Sequence, residues 1–503
     1  MQVSDEKNAY TRIVKSSSII GGAQGINMLI GIVRVKFVAL LIGPVGLGLL
    51  ATYQSITNMI ATIAGLGLQS SAVRDIAQAV ERGDSQQIGR TVLTLRRLCW
   101  LTGLTGPFIV FLLSPWLSQI TFNNSDQASN ITLVSLVILF SNLKGGQIAI
   151  IQGMRKINDL AKLNIIGAIS GTVISIMLYW LYGLDGIIPA LVLLSICELI
   201  AALWFVKKID IAVVKLTWKD TFIEAGGMVK MGLAFMWNGL LIAIVAYLTR
   251  VIISEELDMI SVGIYTAAFA LSGMIVNFIL GAMGADYYPS LIAINDNKKK
   301  MCDLVNKQTE VGLLLSLPGL LITISFSPWI VNLFYSSEFT AAAELLRWFA
   351  IGCIGRVISW PMGFIILAKG RSKTFIATET VINIIHVVLI IYLLDNLGLE
   401  GVAIAYPLLY SIYTLMILCV SKYLIDFRWS VSVVRILCLF MTSTLIVIYV
   451  SLNYSVLVSS LVGGFVSGLM TVYSLRELSN KLPDTHKLTK FLRYVTLAKL
   501  EIK

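Results

Sequence analysis

Arg34, Lys36, Lys144, Arg250, Arg347 and Arg356 lie inside stretches that are otherwise as apolar as lipid. A guanidinium or ammonium binds phosphate oxygens, and Arg offers a planar fork that matches them in pairs. At the centre of a membrane helix each cation costs about 2.5–3.5 kcal/mol. Six such cations facing lipid would together outweigh the stability of a typical protein, about 5–15 kcal/mol. They are therefore expected to face an interior that holds water, counter-charge or an anionic ligand. Three of them sit on small or polar helical stripes: Gln24, Asn27, Gly31 and Arg34; Ser141, Lys144 and Gln147; Gly352, Arg356, Ser359 and Gly363. Arg34, Lys144 and Arg356 are read as lining a lumen. The alternative is that the stripes are helix contacts and the cations pair with buried carboxylates. Arg250 and Lys36 join the candidate substrate-binding cations, although both lie close enough to the outer boundary to snorkel. Arg347, one turn from Glu344, reads as structural.

Candidates for ion coupling are fewer. Glu379, Asn383 and His386 share one helical face at 4, 3 spacing, and a histidine can exchange a proton near neutral pH. Glu198 is the other deep carboxylate, either a coupling group or the counter-ion of a lumen cation. Asp286, in Asp286-Tyr287-Tyr288-Pro289, is expected at a cytoplasmic helix end as a cap or gate. No cofactor and no metal are expected, and a proton or sodium gradient would supply the energy. The 6 cysteines show no CxxC or metal spacing and read as free thiols.

These residues need long apolar helices to carry them. The chain is 57% hydrophobic and only 13% charged, with a mean hydropathy of +0.84. Apolar runs of membrane-spanning length predict an all-α polytopic membrane protein of about fourteen transmembrane helices: 17–42, 45–68, 98–118, 131–152, 163–183, 186–206, 229–253, 260–282, 311–334, 342–368, 375–394, 399–420, 433–451 and 456–475. The polar N-terminus and the full length of the first run argue against a cleaved signal. Apart from the six deep cations, the 39 Lys and Arg fall in alternate connections and in the termini. The positive-inside bias then places both termini in the cytoplasm. The formal charge of +11 reads as this topology signal rather than as a nucleic-acid surface.

A repeat of about 215 residues runs through the chain. Ser114-Pro115-Trp116 recurs as Ser327-Pro328-Trp329, Gly183-Leu184-Asp185-Gly186 as Gly398-Leu399-Glu400-Gly401, and Gly46-Leu47-Gly48 matches Val262-Gly263-Ile264. Two parallel six-helix lobes follow, because an even helix number per copy keeps both in one orientation. The division is an N-lobe over 1–206, a cytoplasmic connector over 207–228, a C-lobe over 229–420, and two further helices with a basic tail over 421–503. Arg34 and Lys36 correspond to Arg250 across the repeat, and Lys144 roughly to Arg356.

The run Ile42-Gly43-Pro44-Val45-Gly46-Leu47-Gly48, with Gly65-Leu66-Gly67 and the amphipathic stretch Val73 to Arg97, resembles the bacterial O-antigen and polysaccharide-unit flippases. The likeness returns at Tyr288-Pro289-Ser290-Leu291, Glu338-Phe339-Thr340 and Leu367-Ala368-Lys369-Gly370. It implies the fold of the multidrug/oligosaccharidyl-lipid/polysaccharide exporter superfamily, two lobes in a V around a lumen. It also implies transport of an undecaprenyl-pyrophosphate-linked oligosaccharide across the bacterial inner membrane, with membrane lipids and other polysaccharide assembly proteins as partners. Helices thirteen and fourteen depart from the usual twelve of that family. The lipid II flippases of the superfamily do carry two extra helices, so that substrate stays open. A multidrug exporter is the other alternative, disfavoured because the deep charges are mainly positive. A membrane-embedded glycosyltransferase would need a larger loop bearing acids or metal ligands than the dozen or so residues between Ser118 and Asn130.

Overall fold

The structure is a computed structural model that describes residues 2–481, with side chains described for residues 25–480 apart from Ala234, Phe235, Ala282, Ala285, Asp286 and Pro289. Fifteen α-helices follow one another. They are α1 (Gln2–Gly65), α2 (Leu68–Arg82), α3 (Ser85–Phe122), α4 (Ala128–Val134), α5 (Leu136–Gly153), α6 (Ile157–Tyr182), α7 (Ile187–Lys207) and α8 (Trp218–Glu256). Then come α9 (Met259–Ala293), α10 (Lys298–Ser325), α11 (Ser327–Phe334), α12 (Ala342–Ala368), α13 (Ser372–Ile425), α14 (Val431–Asn453) and α15 (Val456–Lys481). No strand occurs among the described residues.

Among the described residues, eleven stretches are long and apolar enough to cross a membrane. Three of them, Gly25–Gly65, Ile157–Lys207 and Ser372–Ile425, run 41, 51 and 54 residues, each enough for two crossings. Each is broken by a glycine with positive φ: Gly43 (62°), Gly183 (56°) and Gly398 (61°). Only glycine takes that conformation without a Cβ penalty. Pro44 follows Gly43 and, lacking an N–H, restarts the helix where none is needed. Counted as two crossings each, the three long stretches bring the total to the fourteen expected.

The repeat is visible in backbone detail. Gly183 and Gly398 share positive φ, and both precede a second glycine three residues on. A Cβ on Gly186 would run into the carbonyl of Leu178, and one on Gly401 into that of Leu393. All three pairs are 215 positions apart. The Ser-Pro-Trp copies differ instead. Pro115 lies inside unbroken α3, whereas Pro328 opens the separate helix α11 after a break at Phe326.

Two compact units divide the chain, Met1–Gly263 and Ile264–Lys503. Helix α8, the seventh crossing, packs on α1, α2 and α3, so this boundary falls later than the sequence repeat alone divides the chain. In the first unit, α2 is amphipathic: Leu68, Ala72, Ile76 and Ala79 are buried while Arg74, Gln78 and Arg82 are exposed. Its apolar face joins Val92, Leu95, Ala202 and Phe205 in one core cluster. A second cluster gathers Val38, Tyr53, Ile131, Ile138 and Tyr179. Phe108, Phe111, Leu112 and Trp116 of α3 point outward and are exposed, an apolar face that suits lipid.

The segment before α8 is held by Arg97. Its guanidinium donates to the Leu216 carbonyl at 3.1 Å and to Thr221 Oγ1 at 2.6 Å, and lies 4.7 Å over the Trp218 ring. Thr217 and Asp220 form a capping box at the start of α8. The Thr217 hydroxyl donates to the Asp220 carboxylate and holds its pKa below the usual value.

In the second unit α10 packs on α12, α14 and α15, and α12 packs on α13. Asn306 of α10 donates to the Arg428 carbonyl at 3.0 Å and accepts from the Ser430 amide at 2.8 Å. Glu310 bonds Ser432 one turn on, and Trp329 Nε1 donates to Ser460 Oγ at 3.1 Å. The last two helices are thus fastened by polar contacts, which matter more in lipid because apolar contact there displaces no water.

Candidate substrate-binding cations

Helix α6 brings charge together in the first unit. Gly167 and Gly171 lie one turn apart, on one face. The place of a Cβ on Gly167 is 3.2 Å from Glu198 Oε1 of α7, and that on Gly171 is 3.0 Å from Arg34 Nη1 of α1. Glu198 Oε2 accepts from Lys144 Nζ of α5 at 2.6 Å. Arg34, Glu198 and Lys144 therefore gather around two glycines whose missing side chains leave them room. Lys144 takes the paired arrangement, with Glu198 as its counter-ion. It also lines a cavity of about 570 Å³. Arg34 has Tyr179 as a further electrostatic neighbour. On its stripe, Asn27 is half-buried and Gly31 faces open space, while the Gln24 side chain lies outside the described residues.

The second unit holds Arg356 on α12, next to Tyr406, Tyr410 and Cys353. Tyr406, Tyr410 and Tyr413 follow 4, 3 spacing on α13, with ring centroids 4.9 Å and 6.2 Å apart along the series. Tyr413 donates to Glu379 Oε1 at 2.7 Å, and the His386 ring lies 6.4 Å from that of Tyr406. Arg356, Glu379 and His386 are thus joined through a tyrosine stripe that the reading of the sequence passed over. Its signal was the 4, 3 spacing itself, in a mainly apolar helix. Gly352 and Gly355 let α12 approach Tyr406 and Tyr410 closely enough for this contact.

The remaining candidates lie on α1, α8, α9 and α12. Arg250 Nη1 donates to the Ala246 carbonyl, one turn back on α8, at 2.7 Å. Lys36 is half-buried on α1. Arg347 Nε donates to Ser327 Oγ at 2.9 Å, tying α12 to α11 in a structural role. The side chain of Asp286 lies outside the described residues. Among the described residues no group of His, Cys, Asp and Glu is arranged to hold a metal ion.

An all-helical chain with eleven described stretches fit to cross a membrane has the make-up of a multi-pass membrane protein. Solved structures of the same fold include an inward-facing multidrug resistance MATE family transporter of the MOP superfamily and the lipid II flippase MurJ in an inward closed conformation. The first gives a TM-score of 0.69 at 14% identity, covering 80% of this chain and 94% of that one. The second gives 0.68 at 16% identity, covering 91% and 99%. The chain belongs to the polysaccharide biosynthesis protein family, whose model matches residues 37–344. It is similar to the lipid III flippase of Escherichia coli (strain K12), 24% identical over 405 residues that span 77% of this chain and 92% of that one. The lipid III flippase of Shigella flexneri matches equally. These relatives are named as flippases and transporters, not as enzymes.

Proposed function

We propose that this protein moves an undecaprenyl-pyrophosphate-linked oligosaccharide, an O-antigen or related polysaccharide repeat unit, from the cytoplasmic to the outer leaflet of the bacterial inner membrane. Alternating access carries the headgroup while the prenyl tail stays in lipid. The observation that carries the reading is a deep cation in each compact unit of a polysaccharide-biosynthesis chain: Arg34 beside the Lys144–Glu198 pair, and Arg356 beside its tyrosines. A guanidinium in an apolar protein interior needs an anionic partner, and a pyrophosphate supplies one bidentately. Arg250 and Lys36 would steer the same anion nearer the outer boundary. Glu379 and His386 would couple transport to a proton or sodium gradient, with both termini in the cytoplasm.

The name of the lipid III flippases supports a lipid-linked glycan as cargo. A deletion strain tests it. Lipid-linked repeat units should accumulate in the inner leaflet, and surface glycan should disappear. Normal surface glycan with a gain in drug sensitivity would replace this reading with drug export.

A further inference from the structure

The repeat builds one pair of turns twice, once in each unit, and the two copies differ in charge. Helix α3 begins at Asp84, whose carboxylate accepts from the Gln87 amide at 2.9 Å. Helix α10 begins in the same way at Asn297, whose side chain accepts from the Lys300 amide at 3.0 Å. The first turn of α3 is Ser85-Gln86-Gln87, and that of α10 is Lys298-Lys299-Lys300. In the turns beside them, Arg155 and Gly370 stand 215 positions apart, and both take positive φ. Over residues 81–87 and 154–159 the charges match: Arg82, Arg155 and Lys156 against Glu81, Asp84 and Asp159. Arg155 there pairs with Glu81 at 3.2 Å. Over 294–300 and 369–374 six bases, Lys298, Lys299, Lys300, Lys369, Arg371 and Lys373, face one acid, Asp296.

The fold gathers these bases on one end of the second unit. Lys369 Nζ donates to the Asn295 carbonyl at 2.5 Å and so pins the α12–α13 turn to the α9–α10 turn. The other five are exposed, and none makes an ion pair among the described residues. Helix α13 starts at Arg371 without a side-chain cap, which leaves its first amides open too. Like charges held this close repel, and a bound anion relieves that repulsion. Apolar surface borders the patch. Ile292, three residues before Asn295, is 46% exposed, and Ile376, one turn along α13 from Lys373, is 40% exposed. Bases at the rim of exposed apolar helix faces suit a membrane interface, where their side chains reach the headgroups.

We infer that this patch holds an anionic phospholipid of the cytoplasmic leaflet. Its phosphate sits among Lys298, Lys299, Lys300, Arg371 and Lys373, with the acyl chains along Ile292 and Ile376. The corresponding turns of the first unit, their charges matched, hold none. The inference goes beyond the transported cargo and rests only on the basic connections being cytoplasmic.

The test is lipid binding to purified full-length protein in detergent, read by native mass spectrometry. The parent should bind phosphatidylglycerol at least tenfold more tightly than phosphatidylcholine. Gln at Lys298, Lys299 and Lys300 together, or Arg371→Gln with Lys373→Gln, should weaken phosphatidylglycerol at least fivefold and leave phosphatidylcholine within twofold. Arg371→Lys with Lys373→Arg should keep the parent's preference, which separates lost charge from a misfolded chain. Lys215→Gln with Lys219→Gln, two exposed bases of the first unit, should change nothing. A parent without preference, patch variants that bind like the parent, or an equal loss in the first-unit control overturns the site. Displacement of phosphatidylglycerol by inorganic phosphate would overturn it in favour of a soluble anion. A larger loss for undecaprenyl pyrophosphate than for phosphatidylglycerol in the patch variants would make the patch a cargo site instead. Normal surface glycan in the deletion strain would end the flippase reading and leave this binding as it is.

Discussion

The carbonyl of Pro44 stands where a Cβ on Gly263 would have to lie, and the relationship is answered in reverse by Met259 and Gly48. Gly48 corresponds to Gly263, and Pro44 to Met259, each 215 positions on. The start of the second crossing and the start of α9 therefore meet through the same backbone device, each glycine receiving the carbonyl of the residue four before the other. This places the repeat register at Gly48 with Gly263, one residue away from the alignment of Gly46-Leu47-Gly48 with Val262-Gly263-Ile264 that the letters suggest.

Gly263→Val and Gly48→Val should each destabilise the protein. A valine has to push two helix backbones apart, and overpacking of that kind costs about 1–3 kcal/mol. Gly281→Ala is the control, because no atom lies within 4 Å of its Cβ position. That change should be neutral or stabilise by about 0.5–1 kcal/mol through helix propensity. Thermal unfolding in detergent checks both. A Gly263→Val protein that unfolds with the parent would mean the crossing is not close-packed.

Removing one partner of the Lys144–Glu198 pair should cost more than removing both. Glu198→Gln strands an ammonium among apolar helices, and both side chains are 26% exposed, so the expected loss is about 1–2 kcal/mol. Lys144→Gln combined with Glu198→Gln should regain most of it. A double-mutant cycle should then show coupling of about 1 kcal/mol. Additive single effects would show that the 2.6 Å contact contributes nothing.

Much of the fold was legible because its signals are local. Gly43-Pro44 and the paired Gly-Leu-Asp/Glu-Gly turns break helices by rules that act within four residues, and the basic loops alternate along the chain. The site was legible only by face. Helical spacing placed Lys144 on a polar stripe, but its partner Glu198 is 54 positions away on another helix. Depth and rotation decide that contact, and a single chain carries no record of either. Gly167 and Gly171, unremarkable in an apolar helix, gain their meaning only from the ions set against them. Likewise Ser327-Pro328-Trp329 resembles its earlier copy in letters but not in backbone, because the break at Phe326 makes Pro328 a helix start.

Arg356→Ala should abolish export of surface glycan at normal expression, with lipid-linked units accumulating as in the deletion strain. Arg34→Ala should do the same. Lys at either position should retain part of the activity, since it keeps the charge and loses the planar fork. Tyr406→Phe removes the hydroxyl that hydrogen-bonds Arg356 and should lower export about fivefold, the effect of a hydrogen bond worth about 1 kcal/mol. Wild-type export from Arg356→Ala would take that residue out of the mechanism.

Glu379 accepts from Tyr413 at 2.7 Å and acts electrostatically on Tyr410, in the tyrosine stripe that flanks Arg356. If it carries the coupling ion, Glu379→Gln should keep the fold and the hydrogen bond while removing the response of export to the gradient. Tyr413→Phe should leave that response in place, because it deletes the donor and not the carboxylate. Export in vesicles, measured once with a protonophore and once without sodium, identifies which gradient matters. His386→Gln then separates the two candidates on α13. A parent-like gradient response in Glu379→Gln together with its loss in His386→Gln would move the coupling role to the histidine.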